Sequence, residues 1–446
     1  MQGPISDKYK RIILFILLLG SILVFFPGSY SVDTWDMYAA ANANKYEDWH
    51  SIFMPYLWHL LLFCTHKYYS IYIIQMLIYW FFWELVLVRV FKTNLAFVIG
   101  LPFAVIMLSV PQYIMKDAEF FMSWGIGVMF MVISTNEPKN KWKWLIAIVC
   151  FFFLAYGYLL RPNNVLAFLP LIYMYAEVYV FKTSTWKKII FASVVIGLLF
   201  FGYFYFTYKV LHANKTYPQY KLQLLDIVGI SKKTGQNYIP INITSYKYFD
   251  RNKLMAAYCP ASIDDIYWPG PGENSVFPRP DSLLNNCVHY YWEKAIMQHP
   301  IVYMENRYQG FLYYLKINKH YKFYYNLGVW TDPNNPFHTR SIDNVIVRRF
   351  LNLYRYLDRT PFYDPWLWLC LNFVQCLFFF ILYRRNNADH ALKVLTIMCL
   401  SGVLYIIGQF PVYQSDRDFR YTYWNVFITL IGVVYIFDNF RIKKTN

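Results

Sequence analysis

The sequence predicts an all-α polytopic membrane bundle of about ten transmembrane helices plus a juxtamembrane helix, with a mixed, mostly helical external domain. Three observations lead there. Of the 446 residues, 57% are hydrophobic and only 15% are charged, against roughly a quarter charged in soluble domains. Several apolar runs approach or exceed the roughly 18 to 20 residues needed to span hydrocarbon. Basic clusters alternate with those runs as orientation by positive charge demands. The net charge of +16 is therefore read as cytoplasmic loop charge, and no nucleic-acid motif accompanies it. No signal-cleavage pattern is expected, because the first apolar run lacks a small-residue site and further spans follow it.

Spans are expected at roughly 11–27, 70–91, 94–110, 119–134, 143–160, 164–181, 188–209, 366–383, 391–410 and 421–438. With the N-terminus in the cytoplasm, every inside segment is basic: Lys8, Lys10 and Arg11; Arg89 and Lys92; Lys139, Lys141 and Lys143; Lys182, Lys187 and Lys188; Arg384, Arg385 and Lys393; Arg441, Lys443 and Lys444. The stretch SIFMPYLWHLLLFCTHKYY (51–69) is apolar but short and carries His59, His66 and Lys67. Read as a span it would invert every later loop, so it is expected to lie in the interface, where Trp and Tyr favour the headgroup level. Residues 1–209 then form an N-terminal transmembrane module of about seven spans with a first external loop at 28–69. Residues 210–365 form an external domain, and 366–446 a C-terminal part of about three spans.

The opposite face is mixed in charge. PGSYSVDTWDMYAAANANKYEDWHS (27–51) follows the first span and carries Asp33, Asp36, Glu47, Asp48 and His50. Later loops bring MKDAE (115–119), LRPNN (160–164) and QSDRDFRYTYW (414–424). Ordinary wet loops have the same composition, but four clusters far apart in sequence land on one face. A carboxylate at the end of a span can take a proton from an attacking hydroxyl. Lys116, Arg161, Arg417 and Arg420 sit at helix ends on that face, where cations can meet a lipid phosphate or merely snorkel. No phosphate loop, GxGxxG, HExxH or paired CxxC motif occurs. A site on the outer face has no access to cytoplasmic nucleotides, so an activated donor must be lipid-linked.

This order of elements resembles the GT-C superfamily of integral-membrane glycosyltransferases, which use polyprenyl-phosphate-linked sugars, and within it bacterial members that modify O-antigen or lipopolysaccharide at the inner membrane. YSVDTWDMYAAANANKYEDWH looks like their acidic first external loop. IMKDAEFFM looks like the acidic pair opening the fourth helix, LLRPNNVLAFLPL like an Arg-x-Asn motif, and DRDFRYTYW like the Arg-Tyr motif before the last span. The resemblance implies Asp33 as general base, with Asp36 the second candidate. It implies Lys116, Asp117 and Glu119 in placing the sugar or a metal, and Arg161, Arg417, Arg420 and Tyr421 on the lipid phosphate. Asp48, His50 and Asn163 become auxiliary or acceptor-side residues. The reaction would be a single inverting displacement, with a glycan or lipid acceptor. Ser51 after His50, and Pro162 after Arg161, depart from the pattern.

No cofactor is required by the sequence. Some relatives use a divalent ion, and Asp33, Asp36, Asp117, Glu119 and His50 offer suitable hard or borderline donors. Cys259 and Cys287 are the two cysteines of the external domain, and an oxidising compartment predicts a disulfide between them. Glu84, five residues before Arg89, is expected to hydrogen-bond another helix rather than share a face with Arg89. GISKKTGQN (229–237) reads as a Gly-flanked turn whose lysines touch acceptor phosphates or only water. Two other function classes stay open. An O-antigen polymerase has the same general layout. A lipid-linked glycan flippase or transporter needs a polar path through the membrane, and the spans carry few charges besides Glu84.

Overall fold

The structure, a computed structural model, describes residues 5–137, 141–181, 184–267, 275–317, 344–386, 389–411 and 419–440. Among the described residues there is no β-strand, only isolated bridges such as Ser29 to Tyr113. The expected all-α class holds, and the described residues of 210–365 are mostly helical, as expected.

The N-terminal part contains α1 (Asp7–Phe25), α2 (Val32–Ala43), α3 (Phe53–Thr65) and α4 (Tyr69–Glu84), which continues as a π-helical turn over Leu85–Val90. It goes on through α5 (Asn94–Ile106), α6 (Lys116–Asn136), α7 (Lys143–Leu160), α8 (Val165–Tyr179) and α9 (Thr185–Tyr205). After these come α10 (Gln219–Thr234), α11 (Ile241–Thr244), α12 (Arg251–Ala257), α13 (Asp264–Tyr267), α14 (Ser282–Gln298), α15 (Pro300–Tyr314) and α16 (Val345–Leu357). The chain closes with α17 (Pro365–Arg385), α18 (His390–Ile407) and α19 (Tyr423–Phe440).

Seven of the described helical stretches are long and apolar enough to cross a bilayer: Tyr69–Val90, Lys116–Asn136, Lys143–Leu160, Thr185–Val210, Pro365–Arg385, His390–Ile407 and Phe419–Asp438. They mark a membrane-embedded helical protein. The other three expected spans are helices too. However, α1 begins with Lys8, Lys10 and Arg11, α5 has 13 residues and gives way to a 3-10 turn, and α8 has 15 residues. At 1.5 Å per residue, α5 and α8 fall short of a core of about 30 Å. The 13-residue α3 is likewise too short to cross, and it packs on α2.

α6 is the axis of the bundle: 83% of its apolar stretch is buried, against 11% for Thr185–Val210 at the rim. Gly157 lets α7 approach it, since a Cβ there would sit 2.5 Å from the Trp124 ring. Buried amides join α17, α18 and α19: Asn372 Nδ2 donates to Asn425 O (2.9 Å) and Thr429 Oγ1 (2.7 Å), and Asn425 Nδ2 donates to Gly402 O (2.8 Å). Such side chains hold helices together where lipid gives no hydrophobic drive.

Glu84 takes Arg11 of α1 at 3.1 Å, as expected of a residue bonded to another helix. It also takes Arg89 at 3.4 Å, against expectation. The π-helical turn widens the helix there and turns residue i+5 back toward i.

Described residues between 217 and 303 build a second apolar core around α10 and α14, including Leu224, Ile227, Ile243, Val288 and Ala295. At its centre Arg307 Nη2 and Trp292 Nε1 donate to Asp226 Oδ2 at 2.6 and 2.8 Å. Gly229 to Thr234 belong to α10 rather than to a turn, and Gly235 ends the helix at φ 75°. Lys233 pairs with Glu305 at 2.7 Å. The expected Cys259–Cys287 disulfide is absent, and both thiols are free. Cys259 accepts a bond from Ala261 N in the turn after α12, whereas Cys287 lies on α14 beside Tyr220.

Candidate functional site

The loops at one end of the bundle are tied to each other before any site residue is considered. Ser29 N donates to Gln112 O (2.8 Å), and Ile114 N donates to Ser29 O (3.0 Å). The loop after α1 thus pairs with the loop before α6. Gln75 braces it from α4 by donating to Pro111 O and Tyr113 O at 2.7 and 2.8 Å. Gly28 turns the chain at φ 95°, where a Cβ would come within 2.8 Å of Tyr72. Ser31 and Thr34 then form a capping box that starts α2, and Thr34 Oγ1 donates to Ile114 O at 2.5 Å. Asp33, on the first turn of α2, is thereby held opposite the start of α6.

The second strap is the 44–51 loop. Asp48 accepts from Tyr208 Oη (2.6 Å), Thr216 N (2.6 Å) and Thr216 Oγ1 (2.7 Å). Ser51 Oγ donates to Leu159 O at 2.5 Å. His50 lies between these anchors, next to the end of α7, where Arg161 caps the helix.

Five charged side chains and one imidazole meet there. Arg161 grips Asp117 with Nε and Nη2, and both are almost fully buried. Arg420 enters from the 3-10 turn Phe419–Thr422 that precedes α19. Its Nη1 donates to Asp33 Oδ2 at 3.0 Å, and its Nε lies 3.7 Å from Asp117 Oδ2. Lys116 Nζ donates to His50 Nδ1 at 3.2 Å, and His50 Nε2 stands 3.8 Å from Asp33 Oδ1. Because an ammonium only donates, His50 Nδ1 accepts and the ring proton sits on Nε2, facing Asp33. Tyr421 carries both guanidinium groups on its ring, Arg161 at 4.6 Å and Arg420 at 5.2 Å.

The electrostatics follow from burial and neighbours. Burial works against the charge on Asp33, but Arg420 and Lys116 outweigh it and hold the carboxyl well below its usual range. Burial, with Lys116 beside it, pushes His50 down to about 3, so the imidazole is neutral. Arg161 is raised despite its burial, because Asp117 lies against it. Asp33 is the open member of the group: it is 31% exposed, against 2% for Asp117 and 12% for Arg420.

Other expected site residues lie elsewhere. Asp36 is exposed on α2, where its own partial burial and the carboxylates of Asp33 and Glu47 raise it. Asp48 is spent on its clamp. Glu119 is buried on the same helix as Asp117, but it is held by Tyr156 and Trp58, outside the charge cluster. Asn163 is exposed on the 3-10 turn. Its neighbour Asn164 is the buried one, bonded to Gln409 and Tyr405. Arg417 lies outside the described residues. Sequence reasoning passed over Tyr156, Trp58, Asn164 and Tyr405, none of which carried a usable signal, and it noted Ser51 only as a departure from the family pattern.

Among the described residues the carboxylates of the cluster already have partners. Asp33 and Asp117 are each engaged by arginine and Glu119 by Tyr156, and no three His, Cys, Asp or Glu side chains gather as ligands among the described residues. What the cluster can hold is an anion. Lys116, Arg161 and Arg420 face two carboxylates and a neutral imidazole. Among the described residues Lys116 meets no carboxylate within 4.0 Å. Compared with known proteins, the chain matches no family model, no curated protein and no solved structure.

Proposed function

We propose that the protein is an inverting membrane glycosyltransferase of the GT-C type, with about ten spans and residues 210–365 as a periplasmic domain. It would move one sugar from a polyprenyl-phosphate carrier to a surface glycan or lipid acceptor, from a site facing away from the cytoplasm in a bacterial inner membrane. The observation that carries this reading is the cluster itself: an open carboxylate, Asp33, faces a buried set of cations that, among the described residues, has one positive charge in excess.

The acceptor hydroxyl enters at the exposed side of Asp33. The 3.8 Å between His50 Nε2 and Asp33 Oδ1 is too long for a direct hydrogen bond. A hydroxyl placed there accepts from His50 and donates to Asp33. As the hydroxyl oxygen attacks the anomeric carbon, its proton passes to Asp33. The bond from that carbon to the phosphate oxygen breaks, and the polyprenyl phosphate leaves with the electron pair. Lys116 and Arg420 meet the charge that grows on that phosphate, in a site where burial strengthens fixed donors. Asp117 keeps Arg161 and Arg420 aligned.

Purified protein presented with a small panel of polyprenyl-phosphate sugars and a glycan acceptor tests this reading. Release of polyprenyl phosphate together with a single-sugar mass increase is expected. A ladder of products would instead indicate a polymerase, and no turnover with any donor would contradict the assignment.

A further inference from the structure

Proton abstraction needs a basic carboxylate, and although Oδ1 of Asp33 is open, Arg420 donates to its Oδ2 at 3.0 Å. An arginine-paired carboxylate is a weak base. Three features set this pair apart from its neighbour. Asp117 is already gripped by Arg161, so Arg420 is not needed to neutralise it. Arg420 stands on a one-turn 3-10 segment at the rim, and its partner is 31% exposed, whereas Arg161 and Asp117 are sealed at 6% and 2%. The Tyr421 ring lies under the Arg420 guanidinium, giving it a flat surface to slide across.

Resting on the transferase reading, we propose that Arg420 is a latch on the base: a substrate phosphate takes over its guanidinium and so frees Asp33. Donor binding and activation of the base are then one event. A carboxylate that regains its basicity only beside a bound phosphate does not activate water at an unloaded site. Arg420 is a positioning residue for Asp33 as well as a phosphate ligand, and the two duties exclude each other at any one moment.

The test is a binding cycle on the full-length protein in detergent, with farnesyl phosphate and inorganic phosphate as probes. The four forms are wild type, Asp33→Asn, Arg420→Gln and the double variant. Asp33→Asn should tighten farnesyl phosphate about five- to tenfold, the scale of one released ion pair. In the Arg420→Gln background, where Lys116 and Arg161 still hold the anion, the same change should yield less than about twofold. Asp33→Glu, which keeps the pair, should bind like the wild type, and Asp33→Ala serves if Asp33→Asn folds poorly. An equal gain in both backgrounds would mean that Asp33 merely repels the anion, and would overturn the latch while leaving the phosphate site standing. Failure of the wild type to bind either probe would overturn the transferase reading and the latch together. Preference for farnesyl over inorganic phosphate supports a lipid-borne anion, and equal affinity overturns that source.

Discussion

Arg420 Nη1 donates to Asp33 Oδ2 at 3.0 Å, across 387 residues of chain. The segment that follows α1 and the turn before α19 are thus joined at one point, with Asp117 and Arg161 against it. A pair so distant in sequence is brought together only by the complete bundle, so the site and the fold stand or fall together.

Asp117 is the first place to test that dependence. Its removal leaves Arg161 buried without its partner, and breaking such a pair costs about 3–5 kcal/mol. Asp117→Ala should therefore lower the folded yield in detergent and the melting temperature sharply. Asp117→Leu combined with Arg161→Met should recover most of the stability and none of the activity. A melting curve of Asp117→Ala that overlays the wild type would contradict the buried pair.

His50 gives a pH signature. In the folded protein its imidazole resists protonation down to about 3, while the unfolded chain takes a proton near 6.5. Protons therefore bind the unfolded state preferentially, and stability falls as pH drops below 6.5. The slope is about 1.4 kcal/mol per pH unit, roughly 2 kcal/mol by pH 5. His50→Gln should flatten the melting temperature over that window. Identical slopes in variant and wild type would remove the case for a buried neutral histidine.

Asp36 and Asn163 are exposed and stand outside the cluster. Asp36→Asn and Asn163→Ala should leave sugar transfer within about threefold of the wild type, since surface changes of this kind rarely matter. A loss of a hundredfold in either variant would move the base, or the acceptor contact, away from the cluster described above.

Cys259 and Cys287 are free thiols on separate elements. After denaturation, both should label with maleimide to the same extent with and without prior reduction. Labelling of the pair only after reduction would restore the disulfide expected from compartment and count.

Much of the site was legible because charge is expensive in hydrocarbon. Asp33, Lys116, Asp117, Arg161 and Arg420 stood out as polar residues at the ends of apolar runs, and those five converge. What could not be read depended on single-residue geometry. A 3-10 turn buries Asn164 and exposes Asn163. A π-helical turn brings Arg89 back to Glu84, which regular helical spacing forbids. Glu119 has the right composition and helix, but Tyr156 of α7 turns it to a different use, and aromatic residues are too common here for that tyrosine to stand out. α5 and α8 read as spans by composition, but each carries an internal proline and is too short to cross by itself.

The most direct measurement of the central claim is single-turnover sugar transfer by purified Asp33→Asn from a polyprenyl-phosphate donor that the wild type accepts. The change keeps the side chain's size and removes its ability to take a proton. Transfer should fall by about 10²- to 10⁴-fold, the range for loss of a positioned base, while the melting temperature stays near the wild-type value. Transfer at the wild-type rate would show that Asp33 abstracts no proton and that the cluster serves some other purpose.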